Sequence, residues 1–238
     1  MKITLLGYGK MGKEIEKAAI EKGHEIFLKI DSEKDWQTYE NVFAQSEIAI
    51  DFSMPDTAVA NIKKCFKSNI PVVEGTTAWY NQLDEIKSLC KQKNQALFFA
   101  SNYSIGVNIF FEINKQLASI MNNYESYEPS IEESHHILKL DAPSGTAITL
   151  ANEIIKKIER KKKWIKEFSQ DPNELAIKSI REGNIPGTHS IFYDSPTDVL
   201  EIKHTAKNRK GFAFGTVLAA EFLLGKTGFF TMEDLLFK

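Results

Sequence analysis

Short apolar runs alternate with amphipathic segments along the first hundred residues. The runs have the length of buried strands, which are predicted at 2–6, 25–30, 48–52, 71–74 and 96–100. Apolar positions recur at helical spacing between them, which predicts helices at 13–21, 56–68 and 81–92. Strands that alternate with helices in this way predict a parallel sheet covered on both faces.

The pattern changes after Ser104. A longer amphipathic helix is predicted at 108–122, and strand-like runs follow at 124–133, 134–140, 189–193 and 200–205. Further helices are predicted at 147–155 and 212–224. We therefore expect an α/β protein whose second domain is an α+β unit with a mixed sheet. The predicted first domain comprises residues 1–104 and 209–238, and the second comprises residues 105–208.

Composition narrows the class of protein. The chain has 238 residues, of which 42% are apolar and 26% charged, and its formal net charge is -2. These are the proportions of a folded globular protein, and they give no global support for binding nucleic acid. The basic run at 156–166 is interpreted as the solvated end of a helix and its loop, with a patch that binds nucleic acid or an anion as the alternative.

Neither cysteine suggests a disulfide or a metal site. Cys65 and Cys90 form no CxxC pair and have no histidine cluster near them in the sequence. The chain shows no apolar stretch of the ~20 residues that a membrane span needs. Its first residues lack the features of a secretory signal. We therefore expect a cytoplasmic protein without a bound metal or a membrane partner.

A glycine motif follows the first predicted strand. Gly7, Gly9 and Gly12 form G-x-G-x-x-G before a helix, and Asp31 ends the next strand about 20 residues later. Gly7 would make the tight turn, Gly9 would let the backbone approach a pyrophosphate, and Gly12 would allow close packing of the helix. This context predicts a Rossmann-type dinucleotide-binding domain in which Asp31 accepts hydrogen bonds from ribose hydroxyls; a plain turn is the alternative.

Two more loops follow predicted strands, at 75–77 and 100–103. Ligands of open parallel sheets bind beyond the carboxyl ends of the strands, so both loops are candidates for cofactor contact, although both could be ordinary loops. The complete set of predicted cofactor residues is Gly7, Tyr8, Gly9, Lys10, Met11, Gly12, Asp31, Gly75, Thr76, Thr77, Ala100, Ser101, Asn102 and Tyr103.

Residues 133–147 form the densest polar stretch. His135 and His136 precede Lys139, and Ser144-Gly145-Thr146 begins a helix whose N-terminus offers free N–H groups to an anion. Histidine can transfer protons near neutral pH, and Lys139 can neutralise a carboxylate or deliver a proton. If 134–140 is a strand, His135 and Lys139 share one face. A purely structural histidine pair is the alternative here, and His189 and His204 are interpreted as structural.

The stretch HHILKLDAPSGTA, preceded by Glu133, closely resembles the signature of the 4-hydroxy-tetrahydrodipicolinate reductase (dihydrodipicolinate reductase) family. The resemblance covers nearly the whole chain and includes GYGKMG, DFSMPDTA, EGTTAW, ASNYSIGVN, REGNIPGTHSIFY and EIKHTAKNRKGFAFG. It implies a homotetramer that reduces an unsaturated cyclic dicarboxylate with NADH or NADPH, without a metal, in lysine and diaminopimelate biosynthesis. It also implies that His135 is the acid/base residue, that Lys139 is the proton donor, and that the substrate carboxylates are held by His136, Lys139, Gly145 and Thr146.

The nucleotide preference depends on the residues around Asp31. Ser32 follows it where some members of the family carry an arginine that pairs with the 2′-phosphate of NADPH. The charge of Asp31 opposes that phosphate, whereas Lys10 and Lys34 could approach it. We therefore expect NADH to be at least as good a cofactor as NADPH. One competing function is that of a different Rossmann oxidoreductase with another small acidic substrate. The other is a catalytically silent NAD(P)-binding sensor of the same fold, which would bind NADH without turnover.

Overall fold

The computed structural model describes residues 1–237, which contain eleven strands, eight α-helices and a 3-10 helix at Tyr80–Gln82. In chain order they are β1 (Lys2–Leu6), α1 (Lys10–Glu21), β2 (Glu25–Ile30), α2 (Glu33–Phe43), β3 (Ile48–Asp51), α3 (Pro55–Lys67), β4 (Val72–Glu74), α4 (Leu83–Gln92), β5 (Ala96–Phe99), α5 (Ile105–Met121), β6 (Glu128–His135), α6 (Gly145–Lys157), β7 (Lys163–Lys166), β8 (Glu174–Arg181), β9 (Thr188–Asp194), β10 (Val199–Thr205), α7 (Lys210–Leu223), β11 (Gly228–Phe230) and α8 (Met232–Leu236). No helix within 1–237 combines the length and the hydropathy needed to cross a bilayer.

The chain divides into two compact units. The first joins residues 1–105 to the segment that begins at 210, and the second comprises residues 106–209. The predicted boundaries lie one residue earlier than each of these.

The first unit is built on a parallel sheet with the strand order β11-β5-β4-β3-β1-β2. Side chains alternate across it, so Leu5 and Ile50 join one apolar cluster with α1 and α7, while Leu6 and Ala49 join the other with α3 and α4. The central strands β3 and β4 are buried along their whole length. A sheet covered on both faces confirms the predicted fold class, and all its strands point their carboxyl ends to one edge.

The second unit has a five-stranded mixed sheet with the order β10-β9-β6-β8-β7. β8 is parallel to β6 and β7, whereas β9 is antiparallel to β6 and β10. Helices α5 and α6 supply apolar side chains to the core on one face of this sheet, which Ile131 of β6 joins. Glu133 and His135 follow Ile131 at two-residue spacing, and all three are buried.

Several elements differ from those that the sequence predicts, and β7, β8, β11 and α8 were not predicted. No strand spans 134–140, because β6 ends at His135 and residues 136–140 form a turn, so His135 and Lys139 share no strand face. Helix α2 was not predicted, because 33–43 carries few apolar residues; it begins at Ser32, whose side chain caps it. Part of the basic run forms β7, and Lys161 is buried, where its ammonium group donates to the carbonyl oxygens of residues 172 and 174.

Candidate active site

The three glycines of the N-terminal motif occupy positions that differ in the space around them. Gly7 has a φ of 84°, and a Cβ there would lie 2.4 Å from the carbonyl oxygen of Phe52. A Cβ on Gly12 would lie 2.5 Å from the carbonyl oxygen of Gly7, so α1 packs directly on the turn. A Cβ on Gly9 would meet nothing within 4 Å. Two glycines therefore allow close packing, and the third leaves the N-terminus of α1 open to a ligand.

Asp31 directly follows β2 at the same edge of the sheet. Its Oδ1 accepts a hydrogen bond of 2.7 Å from the backbone N–H of Tyr8, so the glycine turn and the acidic residue hold each other in place. Both border a cavity of about 440 Å³, which we call the strand-end cleft. It is lined by Gly7, Gly9, Ile30, Asp31, Ser32, Glu33, Trp36, Phe52, Ser53, Met54, Thr57, Ala60, Asn61 and Lys64.

Among residues 1–237, one lysine lines the cleft, and it is not one that the sequence indicated. Lys10 and Lys34 do not line the cleft, whereas Lys64 of α3 does. Its Nζ lies 3.3 Å from a carboxylate oxygen of Glu33 and 4.4 Å from the centre of the Trp36 ring. α3 starts after β3 and α2 starts after β2, so only the folded sheet brings these residues together.

The loops after β4 and β5 are partly internal supports. Thr76 is buried, and its N–H donates to Oε1 of Glu74 at 2.7 Å. Tyr103 is also buried, and its hydroxyl donates to the carbonyl of Glu74 at 2.7 Å. Thr77 and Ser101 are exposed. Of the predicted cofactor residues in these loops, the exposed ones are therefore the better candidates for direct contact, while the buried pair fixes the shape of the loops.

A buried cluster of polar side chains surrounds Glu133 in the second unit. Nε2 of His135 lies 3.5 Å from Oε2 of Glu133 and 3.4 Å from Nε2 of His189. His189 also contacts the Ser144 hydroxyl at 3.1 Å, and Arg181 donates to Oε1 of Glu133 at 2.9 Å. The sheet creates this cluster, since Glu133 is opposite His189 in the β6–β9 pair and His135 is opposite Arg181 in the β6–β8 pair.

The charges in this cluster are set by burial and by hydrogen bonds. Burial alone would raise the pKa of the Glu133 carboxyl, but hydrogen bonds from the two histidines, Ser144 and Arg181 outweigh it and hold the pKa far below its usual range. Burial lowers the pKa of His189, although Glu133 opposes this. Glu133 is therefore a permanent carboxylate, and His189 favours the neutral form.

The N-terminus of α6 adjoins the same carboxylate. The backbone N–H of Ser144 donates to both oxygens of Glu133, at 3.0 and 3.1 Å, and the Ser144 side chain accepts from the N–H of Ala147. Gly145 is exposed and has open space around it, and Thr146 is half-buried. The predicted anion cradle is thus a helix N-terminus whose first residue is anchored to the histidine cluster.

Lys139 lies in the turn after β6 and not beside His135 on a strand. Its Nζ contacts both carboxylate oxygens of Asp141, at 2.7 and 2.8 Å. The same Arg181 that binds Glu133 donates to the carbonyl of Asp141 at 2.6 Å. Arg181 thereby connects the turn that carries Lys139 to the His135 cluster.

Sequence reasoning missed the importance of Arg181 and His189. The sequence assigned no role to Arg181, and His189 was interpreted as structural. Their place beside Glu133 depends on strand pairing across about 50 residues, for which the local sequence holds no signal. Glu133, His135 and His189 also place three potential metal-ligand atoms within 4.8 Å of one another. Each of these residues already has a hydrogen-bonding partner in the cluster.

The first unit has an open helix N-terminus beside an acidic residue, and the second has a histidine cluster beside another helix N-terminus. These features are typical of dinucleotide-dependent oxidoreductases. Comparison with known proteins agrees with this class. Residues 1–103 match the family model "Dihydrodipicolinate reductase, N-terminus", and residues 106–236 match "Dihydrodipicolinate reductase, C-terminus". The chain belongs to the dihydrodipicolinate reductase family, and its N-terminal unit is a dinucleotide-binding domain.

Individual relatives give the same result. The chain is 48% identical over 236 residues to the 4-hydroxy-tetrahydrodipicolinate reductase of Christiangramia forsetii. The alignment covers 99% of this chain and 98% of the relative. It is 35% identical over 250 residues to the enzyme of that name from Clostridium novyi, with 99% and 98% covered. Among solved structures, the dipicolinate-bound dihydrodipicolinate reductase from Paenisporosarcina sp. TG-14 aligns with a TM-score of 0.76 at 18% identity, over 99% of both chains. That likeness confirms the fold.

Proposed function

We propose that the protein reduces 4-hydroxy-tetrahydrodipicolinate to tetrahydrodipicolinate with NADH or NADPH, as a step of lysine and diaminopimelate biosynthesis. The observation that carries the proposal is the contact of Ser144, the first residue of the anion cradle, with the Glu133–His135 cluster. A cyclic dicarboxylate needs anion sites close to a proton-transfer group, and residues 135–146 supply both.

The N-terminal unit fits a dinucleotide. The open space at Gly9 lets a pyrophosphate reach the N–H groups of α1, and Asp31 borders the same cleft as a hydrogen-bond acceptor for ribose. When bound, the reduced nicotinamide supplies the hydride. The cofactor site that we propose comprises the residues predicted from the sequence, namely residues 7–12, Asp31, 75–77 and 100–103. Within it, the buried Thr76 and Tyr103 hold the shape of their loops.

The second unit supplies charge and a proton. His136, Lys139, Gly145 and Thr146 hold the substrate carboxylates, through side-chain charge and the free N–H groups of α6. The 4-hydroxyl group of the substrate leaves as water, and the unsaturated ring that remains accepts a hydride from the nicotinamide. The ring then needs a proton, which Lys139 delivers from Nζ once the substrate replaces Asp141 as its partner. His135 acts as the acid/base residue, and the Glu133 carboxylate, 3.5 Å from its Nε2, helps to orient the ring.

The deciding experiment is turnover by the purified protein. Substrate is generated freshly by the preceding synthase, and the loss of NADH absorbance is followed with and without that synthase. Turnover that depends on the synthase supports the proposal. Binding of NADH without any turnover would instead identify the silent sensor and contradict the assignment of His135 and Lys139.

Assembly and location follow from the same proposal. We propose a cytoplasmic homotetramer assembled through the second unit. Exposed apolar residues on the edge strand β10, Val199 and Leu200, support an interface there. Light scattering of the purified protein should give four times the chain mass of 27.0 kDa. A monomeric mass would contradict this assembly.

A further inference from the structure

Two acidic side chains lie fully buried beneath the nucleotide loops. Asp51 ends β3, Glu74 ends β4, and the two residues are register partners in adjacent parallel strands. Neither side chain has any exposed surface, and Thr76 donates to both carboxyl groups, through its N–H to Glu74 and through its hydroxyl to Asp51. No Lys, Arg or His of residues 1–237 forms a hydrogen bond or an ion pair with either carboxyl group. Two bare negative charges at such a site would be strongly destabilising.

The groups that face the pair are neutral donors. Oδ2 of Asp51 accepts from Asn61 at 2.9 Å, and Oδ1 accepts from the backbone N–H of Ser53 at 2.9 Å. Oε1 of Glu74 accepts from the N–H of Thr76 at 2.7 Å. Oε2 of Glu74 is buried and has no partner among the donors of the described residues. A proton on this oxygen would satisfy it through a hydrogen bond to Asp51.

Cys65 of α3 and Tyr103 also face the pair. Burial, then the charge of Asp51, raises the pKa of the Cys65 thiol. Burial, then the charge of Glu74, raises the pKa of the Tyr103 phenol. Both groups therefore stay neutral near neutral pH and provide no compensating charge.

We propose that Asp51 and Glu74 share one proton, and that this pair is a positioning device that holds the two loops against which the nucleotide binds. The proposal rests on the proposed function, because it concerns the cofactor site. Asp51 fixes Ser53, which lines the strand-end cleft, and Glu74 fixes Thr76 in the loop at 75–77. The loops also pack on each other, since a Cβ on Gly75 would lie 2.2 Å from the Phe52 ring. Loss of the proton would drive the two carboxylates apart and move both loops.

The direction of the pH effect follows from the shared proton. Burial, followed by the charge of Asp51, raises the pKa of Glu74 well above its usual range. The folded protein therefore holds a proton that the unfolded chain releases at the ordinary carboxyl pKa. The free energy of unfolding and the affinity for NADH should both fall as the pH rises through the pKa of the pair.

The test compares wild type, Glu74→Gln and Glu74→Leu between about pH 6 and about pH 9. Glutamine keeps a donor towards Asp51 and an acceptor for Thr76 without a titrating proton, whereas leucine keeps neither. The dissociation constant for NADH is measured by equilibrium dialysis, and the free energy of unfolding by urea titration. Glu85→Gln is the matched control, because Glu85 is exposed and pairs with Lys63 in the same unit.

We expect NADH binding by wild type and Glu85→Gln to weaken with rising pH by up to about tenfold per unit above the pKa of the pair. The Glu74→Gln protein should lose this slope, and Glu74→Leu should bind NADH more weakly than Glu74→Gln at every pH. Equal slopes in wild type and Glu74→Gln would overturn the proposal.

If Glu74→Gln does not fold, Asp51→Asn serves instead, because it also limits the pair to one charge. A folded wild type that binds no NADH at any pH would contradict the proposed function. The pH dependence of unfolding would then still decide whether the pair shares a proton.

Discussion

Nε2 of His135 lies 3.5 Å from Oε2 of the fully buried carboxylate of Glu133. Arg181 donates to Oε1 of that carboxylate and the N–H of Ser144 donates to both of its oxygens, so these groups compensate its charge. Gly187 also approaches the imidazole, since a Cβ there would lie 2.9 Å from Cε1 of His135. The orientation of His135 is therefore fixed by a charge and by packing, which is the arrangement that a proton-transfer histidine needs.

Replacing Glu133 should impair turnover through His135. Glu133→Gln keeps the shape of the side chain but removes the charge, so the imidazole of His135 loses the carboxylate that helps to hold it in place. We expect turnover to fall by at least about tenfold, with a much smaller change in NADH affinity. Steady-state kinetics across pH measures both effects.

Glu132→Gln is the matched control for this variant. Glu132 neighbours Glu133 in the sequence but pairs with the exposed Lys178 at 2.9 Å. Side chains alternate along the strand, so Glu132 lies on the other face of β6. Similar kinetics and similar pH profiles for the two variants would show that the Glu133–His135 contact has no role in the reaction.

Removing the ammonium group of Lys139 should lower turnover without weakening the binding of the nucleotide. We expect Lys139→Ala to lower turnover by ~100-fold or more, because a general acid is lost, and to leave the dissociation constant for NADH nearly unchanged. Lys156→Ala controls for the loss of an exposed lysine, since Lys156 contacts only Glu153 among its described ion-pair partners. Lys139→Ala activity within a few-fold of wild type would exclude Lys139 as the proton donor.

Local sequence patterns predicted the parts of the site that are local in the chain. The glycine turn, Asp31 and the start of α6 depend on short-range signals, namely turn residues, a strand end and a capping serine. The partnership of Glu133 with His189 and Arg181 depends on strand register, which no local pattern encodes. The strand predicted at 134–140 is wrong because an apolar run was taken to be buried. Its apolar residues Ile137, Leu138 and Leu140 are instead exposed.

Adding one methyl group should lower the stability at one glycine of the motif and the affinity for NADH at another. In Gly12→Ala the new Cβ would lie 2.5 Å from a backbone oxygen, so the fold itself must shift and we expect destabilisation of about 1–3 kcal/mol. In Gly9→Ala the Cβ meets open space, so stability should change little, whereas NADH affinity falls because the methyl group occupies the approach to the phosphates. Urea unfolding and NADH titration measure the two effects. Unchanged NADH affinity in a stable Gly9→Ala protein would argue against a pyrophosphate at α1.

The choice between NADH and NADPH should depend on the charges that line the strand-end cleft. Asp31 and Glu33 oppose a 2′-phosphate there, while Lys64 attracts it but already pairs with Glu33 at 3.3 Å. An exposed charge pair contributes only ~0.2–1 kcal/mol, so these effects nearly cancel. We therefore expect NADH to be at least as good as NADPH, with a modest ratio. Added salt should weaken NADPH binding more than NADH binding.

Substitution of Ser32 tests this balance directly. Ser32→Arg should shift the ratio towards NADPH by placing a fixed positive charge beside the ribose. Ser32 also caps α2 by accepting from the N–H of Asp35, so the variant should lose about 1 kcal/mol of stability. Ser32→Ala loses the same cap without adding charge, and it should leave the ratio near that of wild type. A wild-type preference for NADPH above about tenfold, or 1.4 kcal/mol, would mean that Lys64 outweighs both carboxylates in the cleft.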